Sequence, residues 1–204
     1  MSKLITCLRQ EGLVYTIRKF FCRLRKKESV TEFLRCQSLN QPNKQCSFAV
    51  KSLKETDIKD FNRIKFFEHV DGRSYINAEN KMILVAYDAN HLLGYIAAEW
   101  DVDKKIHGLG NFYLCKGESW IGPVYVKKEY RNNGISSCLI NKMSNYLKNQ
   151  FGIEVFYTCI NATNLSSLNS FFKNGYSKVG SVRVNADKCN FEFISNDLAR
   201  RFKR

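Results

Sequence analysis

Apolar and polar positions follow two different periods along this chain of 204 residues. Short apolar runs typical of strands alternate with segments in which apolar residues recur every three to four positions, as on a helix face. The clearest helix covers 135–147, where every fourth residue is apolar. The pattern predicts further helices over 55–70 and 165–173, and strands over 46–53, 82–87, 92–100, 120–127, 153–159, 176–184 and 189–194.

The order of these elements predicts the fold class. Residues 82–100 contain two strands joined by a short turn, which indicates an antiparallel hairpin. Further along, strand and helix alternate, which favours a parallel crossover. We therefore expect an α/β fold with a mixed central sheet and helices on both faces. The Gly-rich segment 104–117 is predicted to be a loop or an irregular hairpin.

The first 45 residues differ from the rest in charge. The formal net charge is +14, and residues 1–27 hold eight basic side chains and one acid. Apolar residues at helical spacing predict a basic amphipathic helix over 1–27, and the polar residues 36–45 read as a linker, which puts the domain at 46–204. Such a helix can dock on the domain, on the second subunit of a homodimer, or peripherally on an anionic membrane surface.

Cysteine and histidine usage bears on metals and compartment. The eight cysteines are scattered, no pair has the C-x-x-C spacing, and there are three histidines. Zinc or another metal is not expected, and cysteines inside apolar segments argue against a disulfide framework. The sequence contains no run long enough for a transmembrane helix and no signal peptide, so we expect a cytoplasmic protein.

The segment 124–136 is the strongest candidate for chemistry. An apolar strand there runs into a polar turn that opens the predicted helix at 135. A helix N-terminus presents unpaired N–H groups and partial positive charge, which together favour phosphate. Gly134 allows close approach of a ligand to the backbone, and Arg131 adds positive charge. The predicted phosphate-binding residues are Arg131, Asn132, Asn133, Gly134, Ile135 and Ser136.

A second motif follows the next predicted strand, with Asn164, Ser167, Gly175 and Tyr176 at fixed spacing. Together with the R-x-x-G-x-S of residues 131–136, it resembles the GNAT superfamily of acyl-CoA N-acyltransferases over residues 46–195. The resemblance implies a three-layer sandwich and acetyl-CoA as co-substrate. Its pyrophosphate is expected on residues 131–136 and its pantetheine arm between the strands 120–127 and 153–159. Val124, Tyr125, Val126 and Asn164 are expected to contact that arm. The Gly122-Pro123 pair predicts a bulge that helps these strands part.

Catalytic groups are harder to assign from the sequence. Phe171 stands where the family commonly has a tyrosine that protonates the departing thiolate. Tyr176, Tyr157 or Tyr125 can replace it, or no acid is needed, because a thiol of pKa about 8.5 leaves readily as thiolate. For the base that deprotonates the acceptor amine, Glu118 is the first candidate. Glu99 and Asp101 are next, and His107 is third.

The resemblance thus implies an acetyl-CoA-dependent N-acetyltransferase that acts on a primary amine. The basic charge and the leader segment favour a small anionic acceptor, such as an amino sugar carried on a nucleotide or lipid. Two alternatives stay open at this stage. The acceptor can be a protein or an aminoacyl-tRNA, although nucleic acid is not the favoured partner, or the domain can be a non-catalytic module that binds CoA.

Overall fold

A computed structural model describes residues 29–37, 46–64, 71–89, 91–106, 109–185, 188–193 and 196–202. The leader helix predicted over 1–27 and the candidate base His107 lie outside these residues. Within the described ranges, no helix combines the length and the apolarity that crossing a bilayer requires.

The described part of the chain forms an eight-stranded sheet with helices against it. The strand order is β10-β9-β1-β8-β7-β4-β3-β2, and β5 and β6 form a separate hairpin. The strands are β1 (Ser29–Gln37), β2 (Ala49–Ser52), β3 (Lys81–Asp88), β4 (His91–Trp100), β5 (Lys104–Ile106), β6 (Gly110–Phe112), β7 (Glu118–Val126), β8 (Val155–Asn161), β9 (Ser177–Asn185) and β10 (Lys188–Phe193). The helices are α1 (Ile58–Ile64), α2 (Ile135–Phe151), α3 (Leu165–Phe172) and α4 (Asn196–Arg200).

Helices cover both faces of the sheet, as the sequence predicts. On one face, the side chains of Leu139 and Met143 from α2 are fully buried in a core that also contains Phe171 of α3. On the other face, Phe61 of α1 packs edge-on against Tyr95 of β4, with ring centroids 5.0 Å apart. The mixed α/β class and its three layers are therefore confirmed.

The strand β1 corrects the predicted domain boundary. It lies between β8 and β9 and pairs antiparallel with both. Phe33 and Leu34 at its centre are fully buried. The boundary at residue 46 is therefore wrong, because residues 29–37 belong to the central sheet, and the linker predicted from residue 36 overlaps the end of this strand. This strand was not predicted because polar residues flank the Phe33-Leu34 pair, so the segment contains no long apolar run.

Two further expectations about local structure have clear outcomes. The predicted helix over 55–70 begins as a 3-10 turn at Glu55–Asp57 and continues as α1 to Ile64, and residues 65–70 are not described. The sequence argues against a disulfide framework, and the described residues contain one disulfide, between Cys46 and Cys138, with a Cα–Cα distance of 6.5 Å. These two cysteines are 92 residues apart in sequence, and such a pairing depends on tertiary structure that spacing alone does not reveal.

Strands β7 and β8 form the parallel pair of the sheet, and their pairing is short. It covers three pairs, Glu118 with Val155, Ser119 with Phe156 and Trp120 with Tyr157, and then ends. At that level the pairing of β4 with β7 shifts register between Ile96 and Ala98, opposite Gly122 and Pro123. The predicted bulge is thus confirmed. Beyond it β7 and β8 are no longer paired.

Candidate functional site

The loop between β7 and α2 leaves the N-terminus of α2 open to a ligand. Helical hydrogen bonding begins where the Cys138 N–H donates to the Gly134 carbonyl oxygen at 2.9 Å. The amides of residues 135–137 therefore precede the first amide that donates within the helix. The N-cap residue is Gly134, in the left-handed region with φ of 74°, and no side chain caps the helix. Such a terminus, with its positive dipole end, is suited to bind an anion.

The residues before Gly134 shape this loop. The Arg131 Nε donates to the Val126 carbonyl oxygen at 3.1 Å, so part of the guanidinium ties the loop to the end of β7. Asn132 adopts the left-handed conformation with φ of 67°. Arg131, Asn132 and Asn133 are all exposed. The loop is therefore held by its own backbone and one arginine contact while its outer surface stays accessible.

A groove of about 800 Å³ runs from this loop along the free edge of β7. Its volume is within the range typical of small-molecule sites. It is lined by nine of the ten predicted cofactor residues, namely Val124, Tyr125, Val126, Arg131, Asn132, Gly134, Ile135, Ser136 and Asn164. The tenth, Asn133, lines an adjoining cavity of about 310 Å³. The structure thus brings these residues to one place.

Backbone direction on β7 decides which peptide groups face the groove. The Lys127 N–H donates to Leu93 of β4, and the Tyr125 carbonyl oxygen lies so close to Gly94 that a Cβ there would clash with it. Because the peptide groups of a strand alternate in direction, those of Val124 and Val126 point away from β4. The contact of Arg131 with the Val126 carbonyl oxygen agrees with this direction. Val124 therefore presents its N–H to the groove.

Helix α3 forms the opposite wall. The Asn164 side chain accepts the Ser167 N–H at 3.3 Å and caps the helix. Across the groove, the Ser136 Oγ lies 2.9 Å from the Ser170 Oγ. Asn174 is fully buried, and its Nδ2 donates to the Ser137 Oγ at 2.9 Å. The sequence reading missed Ser170 and Asn174, and the family spacing around them gave no hint of contacts between the two helices.

Phe171 and Tyr176 form part of the core. Phe171 is buried, lines the groove from below, and packs edge-on against Tyr176 with ring centroids 4.9 Å apart. The Tyr176 hydroxyl lies 3.4 Å from the Ser144 Oγ of α2, and burial raises the pKa of this phenol. Tyr176 does not line the groove. The expectation that it protonates a leaving group is therefore wrong, because its hydroxyl faces the helix.

The Glu118 carboxylate is likewise bound by other groups of the protein. Both carboxylate oxygens contact the Arg201 guanidinium, one of them at 2.8 Å from Nη2, and Oε2 also accepts the Cys115 N–H at 2.7 Å. The residue lies at the paired start of β7, away from the groove. We correct its assignment as general base, because a carboxylate held by a guanidinium and a backbone amide has no oxygen free for a substrate.

The second-ranked candidates from the sequence lie at the end of β4. The Asp101 Oδ1 accepts the Gly117 N–H at 3.3 Å, so this residue ties two loops together. Glu99 is buried beside β7, where its Oε1 accepts hydrogen bonds from the Tyr75 hydroxyl and from the Lys104 Nζ, the latter at 2.8 Å. Burial alone would raise the pKa of the Glu99 carboxyl, but the Lys104 ammonium and these hydrogen bonds hold it below its usual range.

Comparison with known proteins assigns the family. The model of the acetyltransferase (GNAT) family matches residues 47–176. The chain therefore belongs to the GNAT family of acetyltransferases. No curated protein matches it.

Several solved structures share the fold at low sequence identity. A putative GNAT acetyltransferase from Novosphingobium aromaticivorans is 14% identical with a TM-score of 0.52, and the match covers 77% of this chain and 63% of that protein. A putative streptothricin acetyltransferase from Bacillus anthracis, solved with acetyl coenzyme A, is 17% identical with a TM-score of 0.50 over 63% and 84% of the two chains. A fungal glucosamine N-acetyltransferase region is 14% identical with a TM-score of 0.54 over 81% and 22%. This chain thus spans less than two thirds of the first of these proteins.

Proposed function

We propose that this protein transfers an acetyl group from acetyl-CoA to a primary amine on a small anionic acceptor. The observation that carries the proposal is the groove beside the unpaired end of β7, which ends at a helix N-terminus without a side-chain cap. One end suits a diphosphate and the other suits an extended amide-bearing arm, the two parts that distinguish coenzyme A from most cofactors.

The phosphate end of the groove fits a diphosphate. The amides at the start of α2 offer hydrogen bonds to its oxygens. The space beside Gly134 is open for a ligand, because a Cβ built there would meet no protein atom within 4 Å. Lys173, the residue that follows α3, also lines the groove and adds positive charge. Residues 131–136 would therefore hold the pyrophosphate.

The strand end of the groove fits the pantetheine arm and its thioester. The Val124 N–H is available to hydrogen-bond the thioester carbonyl oxygen and to stabilise negative charge on it during attack. In the reaction, the amine nitrogen forms a bond to the carbonyl carbon, the C–S bond breaks, and the thiolate leaves. A thiol of pKa about 8.5 makes a sufficient leaving group without an acid at the place of Phe171.

The acceptor class is argued from charge. The net charge of +14 favours acceptors that carry phosphate or carboxylate. The fungal structural neighbour is described as a glucosamine N-acetyltransferase region, which makes amino sugars the first acceptors to assay. Thiol release from acetyl-CoA should be measured with amino sugars, their phosphates and nucleotide derivatives, peptides and polyamines. CoA binding without turnover on any amine would contradict the proposal and favour a non-catalytic module.

The cofactor site is tested by charge placed in the loop. Gly134→Asp puts a carboxylate where the diphosphate is expected, and we predict a loss of CoA affinity of at least about 100-fold, in line with repulsion between close like charges. The matched control is Gly152→Asp, since Gly152 ends the same helix with φ of 65° and open space around it. Calorimetry with CoA checks both variants. Equal affinity of Gly134→Asp and Gly152→Asp would place the diphosphate elsewhere.

A further inference from the structure

The face of the sheet opposite α2 carries a buried polar cluster beside β7. We call Glu99, Tyr75 and Lys104 the Glu99 cluster. They come from β4, from the 3-10 turn Gly72–Tyr75 and from β5. Glu99 is 9% exposed, and the Lys104 side chain is 17% exposed. Buried charges are costly unless paired, and here Glu99 and Lys104 pair with each other beside β7.

The contacts within the Glu99 cluster involve one of the two carboxylate oxygens of Glu99. The Tyr75 hydroxyl and the Lys104 Nζ both donate to Oε1 of Glu99. Among the residues that the structure describes, the recorded hydrogen bonds to the Glu99 carboxylate both end on Oε1. One oxygen of the carboxylate is thus fixed in place, and the other retains acceptor capacity.

The strand register places this carboxylate next to the point where β7 leaves β8. Glu99 pairs with Trp120, two residues before Gly122. Side chains of directly paired residues lie on the same face, so Glu99 and Trp120 share the face opposite α2. Trp120 pairs in turn with Tyr157 of β8, and Cys159 follows on that face by alternation.

Lys104 extends the cluster toward β8. Burial raises the pKa of the Cys159 thiol to about 12, and the positive charge of Lys104 acts against this rise. The ammonium that bonds Glu99 on β4 is therefore also close enough to influence a thiol on β8. An ammonium has three N–H donors, and Glu99 uses one of them.

We propose that the acceptor amine binds at the Glu99 cluster, with its nitrogen at Oε2 of Glu99 and an oxygen on its neighbouring carbon at Lys104. This inference rests on the proposed function, because it requires a thioester bound beside the unpaired end of β7. The amine arrives as an ammonium and gives one proton to the Glu99 carboxylate. The neutral nitrogen then forms the C–N bond while the C–S bond breaks. The proton lost from nitrogen on bond formation passes to solvent, and Glu99 later releases its own proton to the thiolate or to solvent.

The acceptor class follows from the two contacts. An amine with a hydroxyl or phosphoryl oxygen on the next carbon satisfies both Glu99 and Lys104, whereas a simple alkylamine leaves Lys104 without its second partner. A 2-amino sugar is the compact form of the preferred class. With glucosamine and cyclohexylamine as probes, we expect kcat/KM to favour the amino sugar by about 10-fold or more, as expected for one hydrogen bond to a charged group. Equal kcat/KM for the two amines would overturn this part of the proposal.

The role of Glu99 is tested with Glu99→Gln and Glu99→Asp. Loss of the proton acceptor should lower kcat/KM by about 100-fold or more, while affinity for CoA by calorimetry stays unchanged. Glu99→Asp keeps the charge and should recover part of the rate. Full activity of Glu99→Gln at every pH would overturn the proposal. Failure of the wild-type protein to bind CoA would instead refute the proposed function.

The role of Lys104 is tested by the pH profile. The charged and titratable groups that face Glu99 are Lys104, Tyr75 and, from β3, Lys81. Because Lys104 lowers the pKa of Glu99, Lys104→Met should raise it and move the acid limb of kcat/KM to higher pH. The control Lys105→Met, at an exposed position of the same strand, should leave the limb in place. If the acid limb of kcat/KM stays in place in Lys104→Met, the proposed role of Lys104 beside Glu99 is contradicted. A purely structural defect would lower the rate without shifting this limb.

Discussion

At the scale of single residues, the direction in which a side chain points decides its role. Tyr176 keeps the family spacing, yet its ring packs on Phe171 and its hydroxyl faces Ser144. Glu118 lies on the expected strand, yet its carboxylate contacts Arg201, 83 residues away. The turn of residues 131–134 that opens α2 was predictable because it depends on local backbone order. The environments of Tyr176 and Glu118 depend on distant partners that spacing does not encode.

Tyr176→Phe tests the structural role of this tyrosine. The change removes one hydroxyl whose recorded contact is a 3.4 Å distance to Ser144 and keeps the ring packing. We expect kcat to stay within about 2-fold of the wild type and the free energy of unfolding to fall by at most about 1 kcal/mol, as for a weak hydrogen bond. Steady-state kinetics and urea unfolding measure the two quantities. A large loss of kcat with unchanged stability would restore Tyr176 as a proton donor.

At the scale of elements, the groove is a property of strand pairing. The sequence predicted where β7 would break, because Pro123 has no N–H to donate and Gly122 has no side chain to pack. It did not predict how the paired start of β7 is fixed. That end is held by Arg201, just after α4, whose guanidinium bonds Glu118 and also donates to the Tyr113 carbonyl oxygen at 3.2 Å.

Arg201→Met tests this attachment of the chain end to β7. The substitution leaves a buried carboxylate without its guanidinium, and we expect the free energy of unfolding to fall by about 3–5 kcal/mol. The double variant Glu118→Gln/Arg201→Met removes the unpaired charge and should recover part of that loss. Denaturant unfolding gives the values. The neighbouring exposed Arg200 provides the control Arg200→Met, and an equal effect of both single substitutions would contradict a specific role for the pair.

At the scale of the whole molecule, two connections join distant parts of the chain into one unit. The strand β1 sits between β8 and β9, and the disulfide joins Cys46 to the first turn of α2. Neither was predicted, although the mixed sheet and its layers were. Local periodicity identifies the elements, but it does not tell which strand fills a gap between two others, because that choice is made by burial in the assembled sheet.

The place of β1 in the sheet leads to a prediction about the folding unit. We expect a chain of residues 29–204 to unfold cooperatively and a chain of residues 46–204 to lack a cooperative transition. The shorter chain loses the fully buried Phe33 and Leu34, each worth about 2–3 kcal/mol of burial, and the backbone hydrogen bonds of β1 to β8 and β9. Together these losses are comparable to the free energy of unfolding of a typical domain, which is about 5–15 kcal/mol. Thermal unfolding followed by circular dichroism compares the two chains. Both lack residues 1–28, so a difference between them reports on residues 29–45. Equal midpoints would show that β1 is dispensable and that the fold does begin at residue 46.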